Sequence, residues 1–248
     1  MNRQDYHTRI ENPEMLDYGV YLSCDRLLAC QKPIAELVNG DELQFQMVHQ
    51  VEELWMKLIA YTLVDVLGYI EQANTNRVVT LMGRVHRLMR LMTAQLDVLE
   101  TMSPKEYQAV RLQLGNGSGQ ESPGFKLLLR MPFDLWDSYK ITYLGGRNLS
   151  IADIYDAKYD HGDSYIVAEA LVEFDELFQK FRALHMYLIQ RSIGLGSKSL
   201  KGRPVEILQA GARDRFFPEL WDIRAEMTDA WGMSYGTVRD AIHDKAKG

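Results

Sequence analysis

Six histidines, His7, His49, His86, His161, His185 and His243, are the first residues to weigh for chemistry, and no two are spaced as a local metal pair. Zinc held by HxxxH ligands on one helix is therefore unsupported. No GxGxxG, GxxxxGK[ST] or HExxH motif occurs either. Leu195-Gly196-Ser197-Lys198-Ser199 is like a phosphate loop in composition only. A metal must then be assembled from distant residues or arrive with its own equatorial ligands. The second case is a haem, which asks the protein for one axial imidazole and a cavity with apolar walls. His185 suits that role, since Phe181 and Ile189 lie one helical turn to either side of it. An ordinary core or subunit-interface histidine satisfies the same spacing. His49, one turn after Phe45 and one before Glu53, poses the same choice between ligand or catalyst and packing. Tyr107 and Arg111 are also one turn apart, and an arginine there offers a two-pronged grip on a carboxylate, against the default of a surface arginine.

Helices must position these residues, because a three-and-four periodicity of apolar side chains runs through the chain. Val78, Met82, Val85, Met89, Met92, Leu96 and Leu99 mark one buried face, with Arg84, Arg87 and Arg90 between them. The stretch from Glu42 to Tyr69 carries a similar stripe, too long to be stable without neighbours. Met15 to Leu37 predicts a helix interrupted near Pro33. Ser103-Pro104-Lys105-Glu106 is a helix start, with Ser as cap and Pro in the first turn, leading into Tyr107 to Leu114, which Gly115 breaks. Phe125 to Arg130 resumes as helix, expected to end at Pro132. Asn148 to Gly162 is polar and reads as a boundary or a lid. Ser164 to Ile193 is a second long helix with Val167, Leu171, Phe174, Phe178, Phe181, His185, Leu188 and Ile189 inward. Gly194 to Pro204 has no period and reads as a loop, and Phe216 to Trp221 adds a late aromatic block. No repeat and no sustained strand alternation appear, so the expected fold is all-α, in one helical domain over residues 1–248.

Composition narrows the function. The 28.6 kDa chain has 46% hydrophobic and 25% charged residues, which argues against disorder. A formal charge of -6 argues against nucleic acid as a partner. No apolar run reaches membrane-spanning length and the N-terminus lacks a signal-peptide core, so no membrane partner is expected and the expected location is the cytoplasm. Two cysteines, Cys24 and Cys30, cannot build a disulfide framework, and a reducing compartment fits them.

Several blocks together carry a family resemblance. Phe45-Gln46-Met47-Val48-His49-Gln50-Val51-Glu52-Glu53-Leu54-Trp55-Met56-Lys57 resembles the distal-histidine helix of the tryptophan 2,3-dioxygenase family. The spacing of Tyr18, Tyr21, Leu27, Leu28 and Gln31 is similar to its N-terminal helix, and Met102-Ser103-Pro104 with Tyr107 and Arg111 to its carboxylate-binding helix. Phe181-Arg182 with His185, followed by Arg191, Ile193 and Gly194, resembles the proximal-histidine segment, and Phe217-Pro218-Glu219-Leu220-Trp221 a late block. The blocks occur in family order from Tyr18 to Arg224.

The resemblance implies a haem-binding helical bundle that uses haem b and O2 to oxygenate the indole of an amino acid, across C2-C3 in L-tryptophan or a close derivative. His185 would be the axial iron ligand and His49 the distal residue near the indole N-H. Arg111 would hold the substrate carboxylate beside Tyr107, Phe45 would wall the indole pocket, and Ser199 would offer a hydroxyl to the amino-acid portion. A homotetramer is implied, in which the N-terminal segment 1–37 packs on a neighbouring subunit and Tyr18 and Tyr21 complete its pocket. Two blocks depart from the family pattern. Ser118-Gly119-Gln120-Glu121-Ser122 stands where Ser-Gly-Phe-Gln-Ser is usual, and Lys198-Ser199-Leu200-Lys201-Gly202 where Gly-Thr-Gly-Gly-Ser is usual. With those glycines mostly gone, close approach of the second loop to a ligand is hindered. Three readings stay open: dioxygenation to an N-formylkynurenine-type product, monooxygenation of a substituted tryptophan such as a β-methyl derivative to an oxindole, and a non-catalytic helical haem-binding or interaction protein.

Overall fold

The computed structural model describes residues 2–115, 117–156, 160–198, 200, 202 and 214–231. Ten α-helices are described: α1 (Arg3–Glu11), α2 (Asp17–Tyr21), α3 (Cys24–Leu27), α4 (Asp41–Glu71), α5 (Thr75–Leu99), α6 (Pro104–Arg111), α7 (Pro123–Tyr139), α8 (Ile151–Tyr155), α9 (Asp163–Ser192) and α10 (Pro218–Trp231). The all-helical expectation holds for these elements. The chain divides into two compact units, one of residues 1–58, 90–126 and 180–212, the other of residues 59–89, 127–179 and 213–248.

In the first unit the start of α4 is held by side chains close to it in sequence. Asn39 accepts hydrogen bonds from the backbone N–H of Asp41 (3.0 Å) and Glu42 (3.2 Å), as a helix cap does. The buried Glu42 carboxylate accepts from Lys32 Nζ at 2.6 Å and from the Val38 N–H at 2.7 Å, tying the preceding stretch to the helix. Phe45, Val48, Met56, Met92, Leu96, Leu99, Val110 and Phe181 form the apolar interior of this unit. The side chain of Ser103 caps α6 by accepting from the Glu106 N–H, as the Ser-Pro-Lys-Glu signal predicts.

The second unit is built on Ile59, Leu63, Val66 and Ile70 of α4, Val78, Met82, Val85 and Met89 of α5, and Val167, Leu171, Phe174 and Phe178 of α9, nearly all without exposed surface. Each such burial contributes about 1.5–3 kcal/mol, the scale that holds a core together. Polar groups inside it pair: Tyr139 donates to the Ser164 carbonyl at 2.9 Å, and Ser164 Oγ to the Tyr143 carbonyl at 2.8 Å. Buried Asp175 accepts from the N–H groups of Phe216 and Phe217 and from Trp221 Nε1.

Three expected elements differ. The helix expected to end at Pro132 continues through it to Tyr139. Proline removes one ladder donor at a cost of about 3 kcal/mol. Buried Leu128, Leu135, Trp136 and Tyr139 line one face of the same helix and outweigh that loss. The helix expected from Met15 to Leu37 is instead two short helices, α2 and α3, broken at Ser23, whose φ of 54° is left-handed. Pro33 then precedes a single 3-10 turn, Ile34–Glu36. Within the polar stretch 148–162, Ser150 and Asp153 form a capping box that starts α8. That local signal is independent of any apolar pattern.

Candidate functional site

The helices of the first unit converge on a cavity lined by Phe45, His49, Leu99, Met102, Tyr107, His185, Leu188, Ile189 and Ser192. Each helix delivers residues at its own period: Phe45 and His49 one turn apart on α4, and His185, Leu188, Ile189 and Ser192 along one face of α9. Leu99 comes from the last turn of α5, Met102 from the connection and Tyr107 from α6.

The two imidazoles are held differently. His49 Nδ1 lies 2.7 Å from the Phe45 carbonyl oxygen. Because a carbonyl only accepts, Nδ1 carries the proton and Nε2 keeps its lone pair. The Phe45 ring packs on the imidazole with centroids 4.1 Å apart. Burial lowers the pKa of His49, partly countered by the Phe45 carbonyl and the Glu53 carboxylate. For His185, burial and then the neighbouring His49 push the pKa down to about 4. Its ring is therefore neutral across the physiological range and free to offer a lone pair. Phe181 stacks beside it at 6.4 Å.

Tyr107 lies 6.2 Å from Phe45, ring to ring, and burial raises its pKa while Arg111 lowers it. Arg111 itself does not line the cavity. Its guanidinium donates to the Lys198 carbonyl oxygen at 2.5 Å and to Gln108 Oε1 at 3.4 Å. The segment after α9 thus meets the arginine through backbone. Ser199 lies outside the described residues. Tyr18 and Tyr21 do not enter the cavity of their own chain and are 76% and 87% exposed.

Four of the eight site residues expected from sequence, Phe45, His49, Tyr107 and His185, therefore line one cavity. Ser192 was not expected there, although it stands two turns beyond His185 on the same helix face, a spacing that reveals it once His185 is placed. Glu53, expected only as a neighbour of His49, is a second such residue. Its Oε1 accepts from the Ser122 hydroxyl and its Oε2 from the Gly124 N–H at 3.1 Å. Among the described residues no group of three or more His, Cys, Asp or Glu side chains is arranged to hold a metal ion. No described helix is long and apolar enough to cross a membrane.

Comparisons with known proteins identify the family of the chain. The model of the tryptophan 2,3-dioxygenase family matches residues 1–143. The chain is 29% identical to the tryptophan 2,3-dioxygenase of Serratia proteamaculans, over 92% of this chain and 99% of that protein. Against the enzyme of the same name from Myxococcus xanthus the identity is 29%, over 85% of this chain and 89% of the relative. The Saccharopolyspora erythraea enzyme is 27% identical, over 86% and 93%.

Proposed function

From the premise that the chain belongs to the tryptophan 2,3-dioxygenase family, we propose that it is a haem-dependent oxygenase of an indole amino acid, with dioxygenation of L-tryptophan or a close derivative as its reaction. The observation that carries this reading is the meeting of His49, Phe45, Tyr107 and His185 in one cavity, with Arg111 one turn beyond Tyr107.

The donor set fits a haem. A porphyrin would bring most of the iron's ligands itself, so His185 alone could hold the group from the protein side, and the absence of a three-residue metal cluster among the described residues is no obstacle. His185 offers a neutral imidazole, held neutral by burial, in a cavity walled by Leu188, Ile189, Leu99 and Met102. Bound haem supplies the redox chemistry that activates O2.

The remaining work belongs to the chain. Phe45 and the aliphatic walls exclude water and hold a flat aromatic ring. His49, with Nδ1 committed to the Phe45 carbonyl, presents Nε2 as an acceptor for an indole N–H. Arg111 exchanges the Lys198 carbonyl for the substrate carboxylate, which pairs with both arms of the guanidinium. Tyr18 and Tyr21, exposed on α2, are assigned to the pocket of a neighbouring subunit in a homotetramer.

The test is to load the protein with haem b, reduce it without oxygen, then add labelled O2 and L-tryptophan. Two labelled atoms in a ring-opened product are expected. One atom in an intact oxindole would replace dioxygenation by monooxygenation, and no stoichiometric haem would overturn the enzyme reading.

A further inference from the structure

Glu53 stands one helical turn beyond His49 on α4, half-buried, with both carboxylate oxygens occupied by one distant segment. Oε1 accepts from the Ser122 hydroxyl, and Oε2 accepts from the Gly124 N–H. Ser122 Oγ in turn accepts from the Phe125 N–H at 3.0 Å, so the bonds run from the first turn of α7 through Ser122 to Glu53. The first N–H groups of a helix lack partners within it and carry partial positive charge, which a carboxylate satisfies. Here that carboxylate is brought from α4. The fit is tight: a Cβ on Gly124 would stand 2.7 Å from Met56 Cβ and 2.8 Å from Glu53 Oε2, both too close.

The segment so held descends directly from Arg111, through the 3-10 turn Leu112–Leu114, Gly115 and the turn at Gly119–Glu121. Near the other end of α6, Asn39, the cap of α4, donates from Nδ2 to the Glu106 carbonyl at 3.0 Å. The helix that carries Tyr107 and Arg111 is therefore tied to the helix that carries His49 on both sides.

We propose that Glu53 is a positioning residue that sets the distance between Arg111 and His49 by clasping Ser122 and Gly124, and so makes recognition of a carboxylate-bearing indole depend on a contact outside the cavity. This rests on the proposed function, because it takes Arg111 as the carboxylate site. Glu53 touches neither substrate nor cofactor. Its effect passes through the segment between α6 and α7.

The test compares haem-loaded parent, Glu53→Gln, Ser122→Ala and Arg111→Ala in binding and turnover of L-tryptophan and of 3-methylindole, which has no carboxylate. Amide hydrogen exchange over residues 117–126 is followed in parallel. The glutamine is nearly isosteric: its carbonyl still accepts from the Gly124 N–H, but its NH2 exchanges the charge-assisted bond from the Ser122 hydroxyl for a weaker neutral contact, so the clasp is loosened. Glu53→Gln is expected to speed exchange at Gly124 and Phe125, raise KM for L-tryptophan about tenfold and leave 3-methylindole within about twofold, corresponding to loss of about 1.4 kcal/mol of carboxylate recognition. Ser122→Ala should act in the same direction and less, and in an Arg111→Ala background Glu53→Gln should add nothing. Equal losses on both substrates, or unchanged exchange at Gly124 and Phe125, would overturn the proposal and leave the enzyme reading intact. A parent that binds neither substrate would overturn the enzyme reading and this proposal with it, whereas the exchange result would still report whether the clasp exists.

Discussion

Glu52, beside the clasping residue on α4, is buried, and among the described residues neither its Oε1 nor the buried Nε2 of Gln95 has a hydrogen-bond partner. Burial pushes its pKa up to about 7, which Gln95 partly opposes and the like charge of Glu53 reinforces. The unfolded chain releases this proton near the ordinary value of 4.5. Between those two values the folded protein holds more protons than the unfolded one, so stability falls as pH rises from 4.5 to about 7 and levels off above it. The full span corresponds to about 3 kcal/mol. Glu52→Gln, which stays neutral, should remove most of that slope and be the more stable protein at pH 8, as urea unfolding at pH 5 and pH 8 will measure. A slope identical to the parent's would show that Glu52 ionises normally. At His185 the expectation is spectroscopic: His185→Ala should lose the haem Soret band, and added imidazole should restore part of it. Arg111→Ala should lower kcat/KM for an indole amino acid at least tenfold more than for a neutral indole, with Arg111→Lys intermediate because lysine lacks the planar fork.

Among the helices, the entry to α10 is held by the Asp175 carboxylate of α9. Asp175 Oδ2 accepts from Phe216 N at 2.9 Å, Phe217 N at 3.2 Å and Trp221 Nε1 at 2.9 Å, and Oδ1 from Gln179 at 3.0 Å. Phe216 packs on Phe174 and Phe178 with ring centroids 5.8 and 4.8 Å apart. Removing the acceptor leaves buried donors unpaired at about 1–3 kcal/mol each. Asp175→Ala should therefore cost about 3 kcal/mol or more in the unfolding midpoint, with Asp175→Asn recovering part, since an amide oxygen still accepts. A loss below about 1 kcal/mol would mean that aromatic packing alone seats Phe216 and Phe217. The late block Phe217-Pro218-Glu219-Leu220-Trp221 is thus a packing element: Pro218 opens α10, Glu219 accepts from Trp136 Nε1 at 3.2 Å, and Phe217 and Leu220 are wholly buried.

At the scale of the molecule, the segment before α4 gathers exposed apolar side chains. Leu16, Tyr18, Val20 and Tyr21 are between 64% and 87% exposed, while of α2 only Gly19 is buried. Apolar side chains gathered in this way mark a surface meant for a partner. A second copy of the chain is the partner proposed above, and sedimentation should give a mass above that of one 28.6 kDa chain. Mixing subunits tests the exchange of segments directly. A chain with Tyr18→Ser and Tyr21→Ser keeps an intact Arg111, and an Arg111→Ala chain keeps an intact N-terminal helix. Co-assembled, they should regain activity that neither shows alone, because one pocket per pair is then complete. A fully active monomer would end this reading.

The sequence alone determined the helical nature of the chain, the cap at Ser103 and the one-turn pairings of Phe45 with His49, Tyr107 with Arg111 and Phe181 with His185, because a turn of helix fixes which side chains share a face and a short polar side chain at a helix start acts locally. It also carried the family blocks, since these are runs of residue types in order. Tertiary structure decided what local rules cannot reach. Pro132 stays inside α7 because buried Leu128, Leu135, Trp136 and Tyr139 outweigh one missing donor. Arg111 meets the Lys198 carbonyl, and Glu53 meets Ser122 and Gly124, across 87, 69 and 71 residues of chain. Such partners leave no periodic trace in sequence, because a hydrogen bond between distant segments exists only once the helices that carry them have packed.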